Sequence, residues 1–289
     1  MQDITSMINS IINADCLDVM RSMPDDCIDL ICTDPPYGYL NHRLDTPFDA
    51  DEFFRQAVRI LKPTGGLIYF GRGVPMARWA CICDDLGLVL KEELVWYKRN
   101  TSSPCHPVGR NHEAAYLFGG PKFRVRKSRI PAEETMMEVT PGLQRNISKM
   151  LEIIRRGRPD ELARAKFDLP STSRNDNITS QQGIKCIDRL AGFYRMVING
   201  SRERSVIYTP SDSRHTSIHP TQKPVRLFER LIATASDPGD IVLDTFSGSG
   251  SCALAAARTG RQYIGIEIDE EYHRKSVDRL QSDLLTTNQ

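Results

Sequence analysis

The sequence predicts an α/β protein built on a doubly wound, mostly parallel sheet that one long insertion interrupts. Three observations carry this reading. Apolar runs of strand length alternate with amphipathic helical stretches at both ends of the 289-residue chain. Between about 120 and 215 that alternation lapses into polar and basic sequence. Glycine-rich or proline-rich turns follow two of the apolar runs, each directly after an aspartate. Alternating strands and helices imply a parallel sheet, because each parallel pairing needs a crossover.

Taken in order, "SIINAD" (10–15) is a β-branched run ending in Asp15, and "CLDVMRSMP" (16–24) follows as a short helix. "CIDLICT" (27–33) is nearly all apolar, as a parallel strand buried on both faces is. "ADEFFRQAVRIL" (50–61) has helical spacing and begins with acids, and "KPTGG" reads as a stop and turn. "LIYFG" (67–71) is a strand, and "VPMARWACICDDLG" (74–87) is a helix ended by Gly87. "LVLKEELVWYK" (88–98) and "EAAYLFG" (113–119) read as paired antiparallel strands. The middle segment offers two amphipathic pieces, near 144–156 and 184–198. Order returns after "HPTQKP" (219–224): helix "VRLFERLIATAS", strand "IVLD" (241–244), helix "GSCALAAARTG", strand "QYIGIEI" (262–268) and a final helix, "EEYHRKSVDRLQSDLL". The domains expected are 1–120 joined with 216–289, and the insertion 121–215.

Composition narrows the function classes. Hydrophobic residues make up 40% and charged residues 26%, as in ordinary globular domains. No apolar stretch approaches the ~18–20 residues of a membrane span. "MQDITSMINS" lacks the basic and apolar regions of a signal peptide, so a cytoplasmic protein with no membrane partner is expected. None of the eight cysteines forms a C-x-x-C pair, and most lie in apolar runs, which reads as reduced, buried thiols. Cys81 and Cys83 stand two apart on a helix, which disfavours a closed zinc site, and no metal is expected. The net charge of +1 hides an asymmetry: 121–214 holds 19 Lys and Arg against 11 Asp and Glu, leaving the remainder acidic. A basic segment on an acidic body fits a module that meets a polyanion, or else a solvated basic surface.

Two motifs carry chemistry. "IVLDTFSGSG" is a strand, then Asp244, then a glycine-rich turn that opens a helix. Gly248 and Gly250 would let backbone approach a ligand where a Cβ would clash. Glu267 ends the next strand, placed to accept hydrogen bonds from ribose hydroxyls. "GSGSCA" also fits the relaxed dinucleotide pattern, so these glycines do not choose among adenosine cofactors. The second motif is Asp34-Pro35-Pro36-Tyr37. In a parallel sheet Asp34 ends its strand on the same edge as Asp244, the edge where ligands bind. The prolines fix φ and supply no N–H, so their loop is stiff and its carbonyls stay free. Asp34, the Pro35 carbonyl and the face of Tyr37 together suit a planar ring carrying an –NH2.

Here the chain resembles the amino-methylating DNA methyltransferases that use S-adenosylmethionine. Their D/N/S-P-P-Y/F motif matches Asp34–Tyr37, and their F-x-G-x-G motif matches Phe246, Gly248 and Gly250. The order of catalytic motif, insertion and cofactor motif resembles the β group. The resemblance extends to Asp15, to "VWYKRN", to "RNHEAAYLF" and to "HPTQKP", about 190 residues in all. It implies a Rossmann-like methyltransferase sheet in which the insertion is the target-recognition domain. It implies a flipped base in double-stranded DNA, its amine held by Asp34 and Pro35 and its ring stacked on Tyr37. Trp96 and Tyr97 are weaker stacking candidates. Asp15 would contact the cofactor adenine, and Lys223 is a candidate for a carboxylate or phosphate contact. His219 reads as structural, and the loop 38–49 as able to close over the base. Arg124, Arg126 and Lys127 are the candidates for DNA phosphates. Asp in the first motif position favours adenine-N6 over cytosine-N4, where Ser is more frequent. A nicotinamide oxidoreductase would leave Asp34–Tyr37 unexplained, and a non-catalytic DNA-binding module would explain neither motif. A homodimer and a cognate restriction endonuclease remain open as partners.

Overall fold

The computed structural model describes residues 4–38, 45, 48–98, 109–131, 134, 152, 156, 201–212 and 217–287. The loop expected over 38–49 lies mostly outside them, as do both amphipathic pieces of the insertion. The chain divides into two compact units, 1–126 with 204–289, and 127–203.

The first unit holds an eight-stranded sheet. Its strands are β1 (Ser10–Asn13), β2 (Ile28–Thr33), β3 (Leu61–Gly71), β4 (Val89–Tyr97), β5 (His112–Gly119), β8 (Val206–Tyr208), β9 (Ile241–Asp244) and β10 (Gln262–Glu267). They lie in the order β1-β10-β9-β2-β3-β5-β4-β8. Only β5 runs against the others, pairing antiparallel with β3 and β4. The helices are α1 (Cys16–Ser22), α2 (Ala50–Ile60), α3 (Gly73–Asp85), α4 (Val225–Ala235), α5 (Ser251–Arg258) and α6 (Glu270–Thr287). No described helix is long and apolar enough to cross a membrane. In the second unit, β6 (Arg129–Ile130) and β7 (Ser201–Arg202) form a small antiparallel ribbon.

Alternation along the central strands explains the double winding. Leu30 and Cys32 of β2, with Ile68 and Phe70 of β3, pack among Leu227, Leu231 and Leu254 of α4 and α5. Ile31 of β2, with Leu67 and Tyr69 of β3, packs among Met20, Phe54 and Trp79 of α1, α2 and α3. The two-residue period of a strand therefore feeds two cores, which is why "CIDLICT" has no polar face. Helix starts follow local capping. The Asp15 carboxylate accepts from Leu17 N at 2.8 Å and that of Asp49 from Glu52 N at 3.0 Å. α2 then buries Phe53, Ala57 and Ile60, one stripe at helical spacing.

Two boundaries differ from the sequence reading. α2 stops just before "KPTGG" as expected, but the segment is not a separate turn: β3 runs through it, and the register moves from Ile28↔Leu61 to Leu30↔Gly66. The extra residues bulge out of the strand, and the Lys62 ammonium there bonds both oxygens of Asp29 at 2.8 Å. Residues 121–126 and 204–212 belong with the sheet rather than with the insertion. Phe123 is the reason at one end. Its ring lies over Gly66 and Gly119, which face each other across β3 and β5, where a Cβ on either would overlap it. At the other end, β8 adds to β4 through Val95↔Val206.

Candidate active site

The parallel strands bring Asp15, Asp34, Asp244 and Glu267 to one edge of the sheet, each at or just past the carboxyl end of its strand. Because β5 runs the other way, its start, with Glu113, reaches that edge too, beside Lys98 at the end of β4. A cavity of about 150 Å³ opens there. It is lined by the Asp34–Tyr37 loop, by His219 to Lys223, and by the turn carrying Asp244, Phe246, Ser247 and Gly248, with Glu267 and Ile268 beside it.

The turn after β9 is held by its own side chains. Asp244 is buried and its Oδ1 accepts from the Thr33 hydroxyl at 2.9 Å and from Phe246 N at 3.2 Å. Burial raises its pKa to about 7, against the lowering effect of those two bonds. Glu267 Oε2 accepts from Gly248 N at 2.7 Å and Oε1 from Asp269 N at 2.9 Å. Burial moves the Glu267 carboxyl upward, again against those two backbone donors. Gly248 and Gly250 have φ of +50° and +71°, the left-handed region that suits glycine. The Ser247 hydroxyl is buried with no hydrogen-bond partner among the described residues.

Asp34 is 19% exposed and sits at a charge junction. Its Oδ1 accepts from the Tyr37 hydroxyl at 3.1 Å, and its Oδ2 accepts from the Lys223 ammonium. Lys223 is 4% exposed, lies 3.3 Å from Glu113 Oε2 and sits 4.5 Å from the centre of the Phe70 ring. Glu113 also pairs with Lys98. Burial pushes Asp34 above the usual carboxylate range, with Lys223 pulling it down and Glu113 pushing it up. Burial alone would lower Lys223, but the Asp34 and Glu113 carboxylates outweigh it and hold the ammonium above its ordinary value. Around the junction an aromatic wall joins Phe48, Phe53 and Phe246 to Trp79, and Tyr37 meets Trp79 edge-on at 6.4 Å.

Comparison with known proteins adds a lineage to this geometry. The DNA methylase family model, covering N6 and N4 enzymes, matches residues 28–278. The chain belongs to that family. It is 24% identical to the type II methyltransferase M.HinfI of Haemophilus influenzae, over 96% of this chain and 70% of that protein. Its fold is similar to that of M1.HpyAVI in its SAM complex, with a TM-score of 0.60 and 21% identity, covering 94% of this chain and 98% of the other. It is also similar to the cytosine-N4-specific PvuII DNA methyltransferase, with a TM-score of 0.51 and 20% identity, over 93% and 85% of the two chains.

The methylase gathers Asp34, Pro35, Pro36, Tyr37, Lys223, Asp244, Phe246, Gly248 and Glu267 around one cavity. Other expected residues stand elsewhere. Gly250 does not line the cavity; a Cβ there would meet Leu280 Cδ1 at 2.9 Å, so its role is to seat the turn against α6. Asp15 is exposed and its Oδ1 caps α1. Trp96 is buried and donates its indole N–H to Thr209 O at 2.7 Å, whereas Tyr97 is 36% exposed and tilts against Tyr208. Lys223 does meet carboxylates, but they are the chain's own. Arg126 lies over the Phe123 ring and pairs with Asp237 at 3.1 Å, and Arg124 donates to the Pro121 and Phe123 carbonyls. Both belong to the first unit, and Lys127 opens the second. Glu113 and Lys98 were missed by the sequence reading. The available signal was a carboxylate starting an antiparallel strand, since such a start lies at the carboxyl edge of its parallel neighbours.

Proposed function

We propose that this methylase transfers a methyl group from S-adenosylmethionine to the exocyclic N6 amine of an adenine flipped out of double-stranded DNA. The observation that carries the reading is the convergence of the Asp34–Tyr37 loop and the Asp244–Gly248 turn on one cavity. The residues of the turn fit an adenosine cofactor. Ser247 offers a buried hydroxyl in need of a partner. Each Glu267 oxygen spends one acceptor site on a backbone N–H, and a carboxylate has about four, so two remain for ribose hydroxyls. Asp244, Phe246, Gly248, Glu267 and exposed Ile268 would hold the group. When bound, S-adenosylmethionine would supply a methyl group on a sulfonium, whose sulfur would leave as a neutral thioether while the amine gives up one proton.

The chain's own part is positioning. An adenine amine is a poor nucleophile because its lone pair is delocalised into the ring. Asp34 and the Pro35 carbonyl accept its two N–H bonds and favour a pyramidal nitrogen with a localised lone pair. Asp34 keeps acceptor capacity for this, since Tyr37 and Lys223 occupy one site on each oxygen. No enzyme nucleophile is required, and preorganised hydrogen bonds carry the rate. Flipping the base costs a few kcal/mol. Stacking on an aromatic returns about 1–3 kcal/mol, and Tyr37, braced by Trp79, is the first candidate for it.

Asp in the first motif position supports adenine. Cytosine-N4 transfer is the second reading, because the amines are alike and PvuII methyltransferase shares the fold. Residues 127–203 are proposed as the target-recognition module. Nucleoside analysis of duplex DNA incubated with the protein and labelled S-adenosylmethionine tests the proposal. N6-methyladenine is expected, and N4-methylcytosine would replace the first reading with the second.

A further inference from the structure

Four charged side chains run inward from one edge of the sheet in alternating sign: Lys98, Glu113, Lys223 and Asp34. They come from the residue just past β4, from β5, from the segment before α4, and from the loop after β2. The row sums to zero charge, and its inner member, Lys223, is almost wholly buried. An ammonium is not buried for packing alone: a lone charge in such a place costs several kcal/mol, and only close opposite charges offset it. Two carboxylates flank Lys223, so the cluster is stable only as a set.

We propose that Lys223, Glu113 and Lys98 are positioning residues that orient Asp34, and that Lys223 keeps it an ionised acceptor for the target amine. This rests on the amine-methylation reading of Asp34. Lys223 sets the direction of Asp34 Oδ2, and the Tyr37 hydroxyl sets that of Oδ1. Glu113 shares the Lys223 ammonium with Asp34 through its Oε2, and Lys98 pairs with its other oxygen, Oε1. The other groups facing Asp34 are accounted for in the same way. Asp244, across the cavity, adds negative potential. Tyr37, with Asp45 near it, is held protonated as a donor, its pKa raised by burial and by Asp34. Neither supplies positive charge, so among the described residues Lys223 is the cation bonded to Asp34, with the His219 ring a further titratable group lining the same cavity. The zero total also suits a neutral base, which enters without displacing a counterion.

The arrangement predicts shifts of opposite sign, which a purely structural role for these residues does not. The ¹³C-carboxyl resonance of Asp34 is titrated in the ligand-free, full-length protein and assigned by its absence from Asp34→Asn. In Lys223→Gln the titration moves to higher pH, because the neighbouring cation is gone. In Glu113→Gln it moves to lower pH, because a neighbouring anion is gone. Lys98→Met moves it upward, less than Lys223→Gln does, and keeps the test open should Lys223→Gln fail to fold. Lys223→Arg restores the wild-type position in part. The acid limb of methyl transfer follows the same order. Shifts of the same sign in the lysine and Glu113 variants, or none in either, would overturn the proposal. The titration needs neither DNA nor cofactor, so it stands or falls apart from the identity of the methylated base.

Discussion

Two acidic side chains at the cavity, Asp244 and Glu267, contribute to stability in different ways. Asp244 has a folded-state pKa of about 7, above the ordinary aspartate value, so the folded protein holds its proton more tightly than the unfolded chain does. Its contribution is complete below the unfolded pKa and is lost as pH rises through about 7. Asp244→Asn keeps an oxygen for Thr33 and Phe246 N but has no charge to desolvate. Its melting temperature relative to wild type should therefore climb between pH 5 and pH 8, read by thermal denaturation in matched buffers. Glu267 works through its bonds instead. Glu267→Ala strips acceptors from Gly248 N and Asp269 N, and each buried donor left unmet costs about 1–3 kcal/mol. The expected outcome is a lower melting temperature together with weaker S-adenosylhomocysteine binding. A variant that kept its stability and lost only affinity would show that those backbone bonds are dispensable.

At the scale of elements, the turn between β9 and α5 is fixed from behind as much as from the ligand side. Gly250→Ala forces a Cβ into the left-handed region, at about 1–2 kcal/mol, and against Leu280, Ser276 and Ile11. The unfolding free energy from denaturant titration should fall by at least that amount, while the cavity-lining groups keep their identity. Most elements were legible in the sequence because burial on both faces leaves unbroken apolar runs such as "CIDLICT", and because helices such as 50–61 show apolar residues at helical spacing behind first-turn acids. The shared edge of the Asp34–Tyr37 loop and the glycine turn was legible for a similar reason: parallel strands deliver their carboxyl ends to one edge. What stayed hidden was non-local. No periodicity reveals that Phe123 covers two glycines across a strand pair, or that "KPTGG" bulges within a strand. Nor does it reveal that Lys223 points at Asp34, 189 positions earlier in the chain. The packing of Gly250 against Leu280 was hidden too, because a positive-φ glycine serves packing and ligand approach alike.

For the whole molecule, the unit boundaries change the charge picture. With the second unit taken as 127–203, it carries 14 Lys and Arg against 10 Asp and Glu, an excess half that of the wider segment 121–214. Arg124 and Arg126 move to the acidic first unit, and Arg126 is already paired with Asp237. Neutralising Arg124 and Lys127 should flatten the plot of log affinity against log salt by about 0.9 per lost phosphate contact, alike on cognate and unrelated duplexes. Arg126→Gln should leave that slope unchanged and lower the melting temperature, because it loosens the cover over Phe123. The central claim is that one sheet edge carries two separable sites, an amine site at Asp34 and an adenosine site at the turn after β9. Calorimetric titration of S-adenosylhomocysteine into Asp34→Ala, with methyl transfer to duplex DNA assayed on the same protein, tests it most directly. The account predicts cofactor affinity close to wild type beside complete loss of methyl transfer; affinity lost in step with activity, or methyl transfer that survives the substitution, would contradict it.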